Sequence, residues 1–218
     1  DHPYSKVGLA SIEASLADLQ RHCALQGLPL FRQERNHQRL TPIGTLKSTW
    51  LSPETCACVT EAPAPDVLLL ATLEGFRDFH PALAAANLAT HSRFAHSRIL
   101  TGEIRLPQLA AFSRNPHEFR SADIARLFDK QQHDKQDLLT DLAREIGRMV
   151  QECGKPGCRH IVLPACLSLG LVGPRLAELE QRTGCTIKEV ATMPPSLIGM
   201  RMQEALKRRF LALGGTFL

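Results

Sequence analysis

Val67-Leu68-Leu69-Leu70-Ala71-Thr72-Leu73 is the longest apolar run in the chain, interrupted by a single threonine. Its length is that of a strand. A near-continuous apolar run of that length predicts a strand covered on both faces, as parallel sheets require. Downstream, helical and extended patterns alternate. Pro81 to Ala89 reads as a helix, and Ile99 to Leu106 as a strand. Ser121 reads as the N-cap of a short helix carrying Ile124, Leu127 and Phe128. From Asp137 to Cys153, Leu142, Ile146, Met149 and Cys153 share one helical face, which Gly154 ends. Ile161-Val162-Leu163-Pro164 is a further strand, Gly173-Pro174 opens a helix closed by Gly184, and Ile187 to Ala191 is a strand. Leu197 to Leu213 is the last helix, with Ile198, Met202, Leu206 and Phe210 as its inner stripe.

Upstream the pattern differs. Ser5 to Gln26 reads as a helix with Ile12, Leu16, Leu19 and Cys23 on one stripe. Leu28 to Thr60 reads as short extended pieces around a shaped turn, Thr41-Pro42-Ile43-Gly44-Thr45-Leu46-Lys47-Ser48-Thr49-Trp50. There Pro42 fixes φ and Gly44 permits a positive one. Glu61-Ala62-Pro63-Ala64-Pro65 reads as a linker. The expected fold is therefore α/β: a layered, largely parallel or mixed sheet flanked by helices, with an N-terminal helix and a short β-hairpin segment. The division falls at residues 1–60 and 61–218, or the whole is one continuous domain.

Composition sets limits. Of 218 residues, 44% are hydrophobic and 22% charged, as in globular domains. The net charge of +4 is scattered apart from Lys207-Arg208-Arg209, so nucleic acid is not expected as a partner. No apolar run approaches the roughly 18 residues of a membrane span. Seven dispersed cysteines fit a reducing cytoplasm better than a disulfide framework. The chain starts at Asp1, and Thr216-Phe217-Leu218 reads as the start of another strand. These ends are those expected of a domain excised from a longer protein.

Several clusters could carry chemistry. Cys153, Cys158 and His160 are the best metal candidate, but a second ligand pair is missing, and a core cysteine beside a surface loop is favoured. Cys56 and Cys58 share a strand face and read as small apolar residues. Cys166 follows a strand, where α/β ligands bind, yet a buried thiol is usually inert. No G-x-G-x-x-G and no P-loop occur. Ser196, after Pro194-Pro195, caps a helix and brings Arg201 to a possible anion site; a capped helix with a solvated arginine is the simpler reading.

Taken together, these runs resemble the B subunit of the bacterial anaerobic glycerol-3-phosphate dehydrogenase. The resemblance rests on His2-Pro3-Tyr4-Ser5, on Thr41 to Leu51, and on Glu118-Phe119-Arg120 with Ile124-Ala125-Arg126. It continues through Leu163-Pro164-Ala165-Cys166 and Pro194 to Arg201. It implies the middle or cap domain of a flavoprotein whose full-length form uses FMN, with no flavin held by this piece alone. It further implies oxidation of sn-glycerol 3-phosphate to dihydroxyacetone phosphate, with electrons passed to quinone. Two partners are implied: an A subunit, which is catalytic and carries flavin, plus a C subunit, which is an iron–sulfur membrane anchor. The implied place is the cytoplasmic face of the cell membrane. On this reading, Thr45, Lys47, Trp50, Ser196 and Arg201 meet substrate or flavin, and no metal is bound. The alternative is a module that docks subunits without direct catalysis.

Overall fold

The computed structural model describes residues 2–59, 64–112, 119–130, 138–154 and 157–216. Its centre is a four-stranded sheet in the order β5-β4-β6-β7, with every pairing parallel. The strands are β4 (Val67–Leu73), β5 (Arg98–Ile104), β6 (His160–Pro164) and β7 (Thr186–Val190). All residues of β4 are buried, as its unbroken apolar run requires. β4 comes first in sequence and β5 lies to one side of it, while β6 and β7 lie to the other. The order therefore reverses across β4, as in doubly wound sheets.

Helices cover both faces. Leu68 lines one cavity with Leu88 of α2 (Pro81–Ala89), so α2 lies on that face of β4. Leu69 points the other way. A Cβ on its neighbour Gly102 would meet Met149 Cε of α5 (Leu138–Glu152) at 1.7 Å, so α5 packs there directly. α6 (Gly173–Thr183) packs beside α5 and ends at Gly184, whose φ is 68°. α4 (Ser121–Lys130) buries Ile124, Ala125, Leu127 and Phe128, and a short α3 (Pro107–Phe112) follows β5.

On the α2 side lies a second, antiparallel sheet in the order β2-β1-β3: β1 (Leu30–Leu40), β2 (Leu46–Pro53) and β3 (Cys58–Val59). It joins the parallel sheet through its own backbone. Ala57 N–H donates to the Glu189 carbonyl at 2.7 Å, and Glu189 N–H to the Thr55 carbonyl at 2.7 Å. α7 (Leu197–Ala212) then runs back to meet α1 (Leu9–Leu25), where Cys23 Sγ lies 3.6 Å from Met202 Sδ.

The α/β class read from the sequence is the class observed, and the helix bounds agree closely. Four details differ. The N-terminal helix is split: a 3₁₀ turn covers Pro3–Lys6, and α1 begins only after Gly8. The hairpin strands are long, eleven and eight residues. Ser121 does not cap α4; its hydroxyl pairs with Thr192 at 3.0 Å, and the first helical N–H groups reach the Arg120 carbonyl. The stripe on α7 is half right: Ile198 is buried, but Leu206 and Phe210 remain 43% and 46% exposed, and Arg201 and Ala205 are buried instead. Phe217 and Leu218 of the strand expected at Thr216 to Leu218, part of the Glu61 to Pro65 linker, and Glu118 lie outside the described residues.

Candidate functional site

The turn between β1 and β2 is built by its own side chains. Thr41 N–H donates to the Thr45 carbonyl, Gly44 N–H to the Thr41 carbonyl, and the Thr41 and Thr45 hydroxyls pair at 2.7 Å. Gly44 has φ 82°, and a Cβ there would lie 2.0 Å from the Ala84 carbonyl oxygen. Both facts demand glycine. Asn87 completes the joint by donating to the Ile43 carbonyl at 2.7 Å. The hairpin is thereby locked onto α2 with Thr45 and Lys47 left exposed.

Beyond the turn the ladder breaks. Arg32 faces Leu51 and His37 faces Thr49, so four residues of β1, Gln33 to Asn36, oppose Trp50 alone. This is a large β-bulge, a device that re-aims side chains. Trp50 is half-buried and holds the bulge: its indole N–H donates to the Gln33 carbonyl at 3.3 Å, and Arg32 stacks 4.6 Å over its ring. Beneath the bulge lies His37, 2% exposed, edge-on to Phe31 at 4.9 Å. Its Nε2 is 2.7 Å from Ser52 Oγ, which is 3.3 Å from Cys58 Sγ. Burial, aided by Arg39, lowers the His37 pKa, so the ring is held neutral.

The second expected group stands elsewhere. Ser196 does cap α7, its Oγ accepting from Gly199 N–H at 3.2 Å. Arg201 is not a free cation. It is 3% exposed and forks onto Glu189, itself 0% exposed, at 2.6 and 3.1 Å. Its Nε donates to the Ser168 carbonyl at 2.8 Å. Every nitrogen of the guanidinium is thus engaged by the protein itself, whereas the sequence reading gave Arg201 to a substrate or flavin phosphate. The segment that follows the hairpin meets β7 at the Cys56–Glu189 bridge.

The cysteines take packing positions. Cys166 is fully buried, and burial pushes its thiol far up. Burial, reinforced by Glu189, pushes Cys56 up to about 12. Burial likewise takes Cys158 up to about 11. Cys153 Sγ donates to the Met149 carbonyl and Cys158 Sγ to the His160 carbonyl. No three metal-binding side chains converge among the described residues. The sequence reading missed His37, Ser52 and Glu189. The one available signal was a histidine and a serine placed within the extended segments on either side of the turn.

A flavin dinucleotide needs a glycine-rich strand-to-helix turn that lets backbone approach its pyrophosphate. Here the turn from β4 to α2 carries one glycine, Gly75, and α2 opens on Pro81 with no side-chain cap. The residues present do not fit that pyrophosphate end.

Comparison with known proteins places the chain in a family. The profile of the FAD binding domain family matches residues 1–218, and the chain belongs to that family. It is 40% identical over 220 residues to the B subunit of the anaerobic glycerol-3-phosphate dehydrogenase of Vibrio vulnificus (strain YJ016), covering 100% of this chain and 48% of the relative. The B subunit of the Aliivibrio fischeri (strain ATCC 700601 / ES114) enzyme is 37% identical over 222 residues, covering 100% and 47%. That of Pasteurella multocida (strain Pm70) is 34% identical over 221 residues, covering 100% and 49%. The chain spans about half the length of the curated relatives it matches. No solved structure matches it. No helix among the described residues is long and apolar enough to cross a membrane.

Proposed function

We propose that this FAD-binding-family chain is the cap-side part of a flavin-dependent dehydrogenase subunit. The reaction would oxidise sn-glycerol 3-phosphate to dihydroxyacetone phosphate and send the electrons to quinone. The observation that carries this reading is the whole-chain identity to relatives named as the B subunit of an anaerobic glycerol-3-phosphate dehydrogenase. The flavin is FMN in this reading. The partners are an A subunit, which is catalytic and carries flavin, plus an iron–sulfur C subunit, which anchors the complex at the inner face of the cell membrane.

Within this reading, the rigid hairpin presents Lys47 to a phosphate and Thr45 as a hydrogen-bond partner, and Trp50 fixes the wall beside them. Ser196 and Arg201 act one step back. They fix the start of α7 against β7, so that the loop after β7 keeps its shape. The test uses full-length protein assembled with its partner subunits. Lys47→Ala should lower bound flavin per complex or dehydrogenase turnover. Wild-type values for both would remove Lys47 from the site. Full turnover by a complex whose flavoprotein lacks this region would overturn the catalytic reading in favour of docking.

A further inference from the structure

The bulge in β1 opens a cleft of about 610 Å³ lined by Gln33, Glu34, Arg35, Asn36, His37 and Arg93, among others. Three features set it apart from an ordinary surface groove. The ladder is interrupted there, so the four bulge residues lack β2 partners in register. Cationic side chains reach it from two separate elements, Arg35 on the bulge and Arg93 in the 3₁₀ turn Ser92–Phe94. Under it sits His37, whose Nδ1 is buried and pairs with nothing among the described residues. An orphaned buried polar atom is destabilising, so it calls for an explanation.

We propose that this cleft binds a phosphate-class oxyanion, gripped by Arg35 and by the Nδ1–H of His37, with the Gln33 and Asn36 amides at its sides. The side-chain chemistry selects the class. A metal cation is disfavoured by the two guanidiniums. Glu34 offsets part of their charge and suits the hydroxyls of a phosphate ester better than a second anion. Arg forks match the geometry of oxyanions. The donors on offer exceed what the two oxygens of a carboxylate can take, whereas a phosphate presents three or four.

The chain of bonds behind His37 makes the donor role self-consistent. The 3.3 and 2.7 Å contacts allow Cys58 Sγ–H to donate to Ser52 Oγ and Ser52 Oγ–H to donate to His37 Nε2. In that arrangement the ring proton sits on Nδ1. Every group in the relay is satisfied with the ring neutral. Without the anion, Nδ1 has no partner in either tautomer.

This inference stands apart from the dehydrogenase reading, because its test involves neither flavin nor turnover. Trp50 is the single tryptophan of the 218-residue chain, and its indole bonds the bulge itself. Its fluorescence therefore reports the cleft. Inorganic phosphate and sn-glycerol 3-phosphate are titrated separately against potassium chloride at matched ionic strength, with calorimetry alongside. Both phosphates should give a saturable change, and chloride none. Tighter binding of the ester would mark a site for phosphorylated metabolites, and equal binding a site for the phosphate group alone. Arg35→Ala, an exposed position, should weaken binding about tenfold or more, as expected for losing a charged hydrogen bond. His37→Gln should weaken it by a smaller factor. A response reproduced by chloride, or affinity unchanged in Arg35→Ala, would overturn the site.

Discussion

Every residue of β4 is buried, whereas β2 buries only Ser52 and Pro53. The two sheets solve different problems. In the parallel layer, side chains are covered on both faces, and stability comes from apolar packing. In the antiparallel sheet, one face meets the layer and the other meets water. Its register slips at Arg32 to His37, and polar side chains fill the gap. The layer is built to hold its shape. The attached sheet carries exposed Lys47, the bulge and the His37 relay. Exposed and unpaired polar groups thus gather where packing is least uniform, on a scaffold that packing makes rigid.

The seam between the two regions should give the largest effect when broken. Arg201 and Glu189 are both buried, and Glu189 is also the residue whose backbone receives the Thr55–Ala57 segment. Arg201→Met leaves a carboxylate buried without its partner, a loss of about 3–5 kcal/mol. A large drop in the urea midpoint is expected. The double change Arg201→Met with Glu189→Leu should recover most of it, because a buried pair replaced by apolar groups is often near neutral. Failure to recover would mean that the pair does more than neutralise itself.

The hairpin–α2 joint ranks next. Gly44→Ala forces a Cβ against the Ala84 carbonyl oxygen and places alanine at φ 82°. A cost of about 2–4 kcal/mol is expected. The damage should be local: amide exchange should rise along β1 and β2 while β4 stays protected. Uniform loss of protection would show that the two sheets form one cooperative unit.

How much of this was legible follows the same division. Pro81, Gly154 and Gly184 mark helix ends by backbone chemistry, and the structure places the ends there or within a residue or two. The apolar runs of β4 and β6 reveal their burial directly. What stayed hidden depends on partners distant in sequence. Arg201 looks like a solvent-facing helical arginine until β7 brings Glu189 beneath it. His37 and Ser52 look like polar strand residues until the bulge folds one over the other. Ser121 has the residue type of an N-cap, but Thr192, 71 positions away, takes its hydroxyl. Local rules describe backbone ends well. They are silent on polar pairs formed by tertiary contact.

Smaller effects separate capping from packing. Ser196→Ala removes the side-chain acceptor for Gly199 N–H, at about 1 kcal/mol. Ser196→Asp should retain the cap and restore the unfolding midpoint. If alanine is neutral, the start of α7 is held by Arg201 rather than by its cap.

The smallest stability effect belongs to the residue given the largest functional role. Lys47 is exposed and faces Arg39 across the ladder, so two like charges stand side by side on one strand pair. Like charges directly opposite are mildly destabilising. Lys47→Ala should therefore change stability by less than about 0.5 kcal/mol, and in the stabilising direction. Lys47→Glu should stabilise further, by supplying Arg39 with an opposite charge. A residue that weakens its own sheet needs a reason outside the sheet. Function and stability should then move apart: Lys47→Ala gains slightly in urea midpoint and loses bound flavin or turnover in the assembled enzyme. Were both to stay at wild-type values, the exposed face of the hairpin would carry no ligand, and the chemistry of this sheet would rest with the bulge alone.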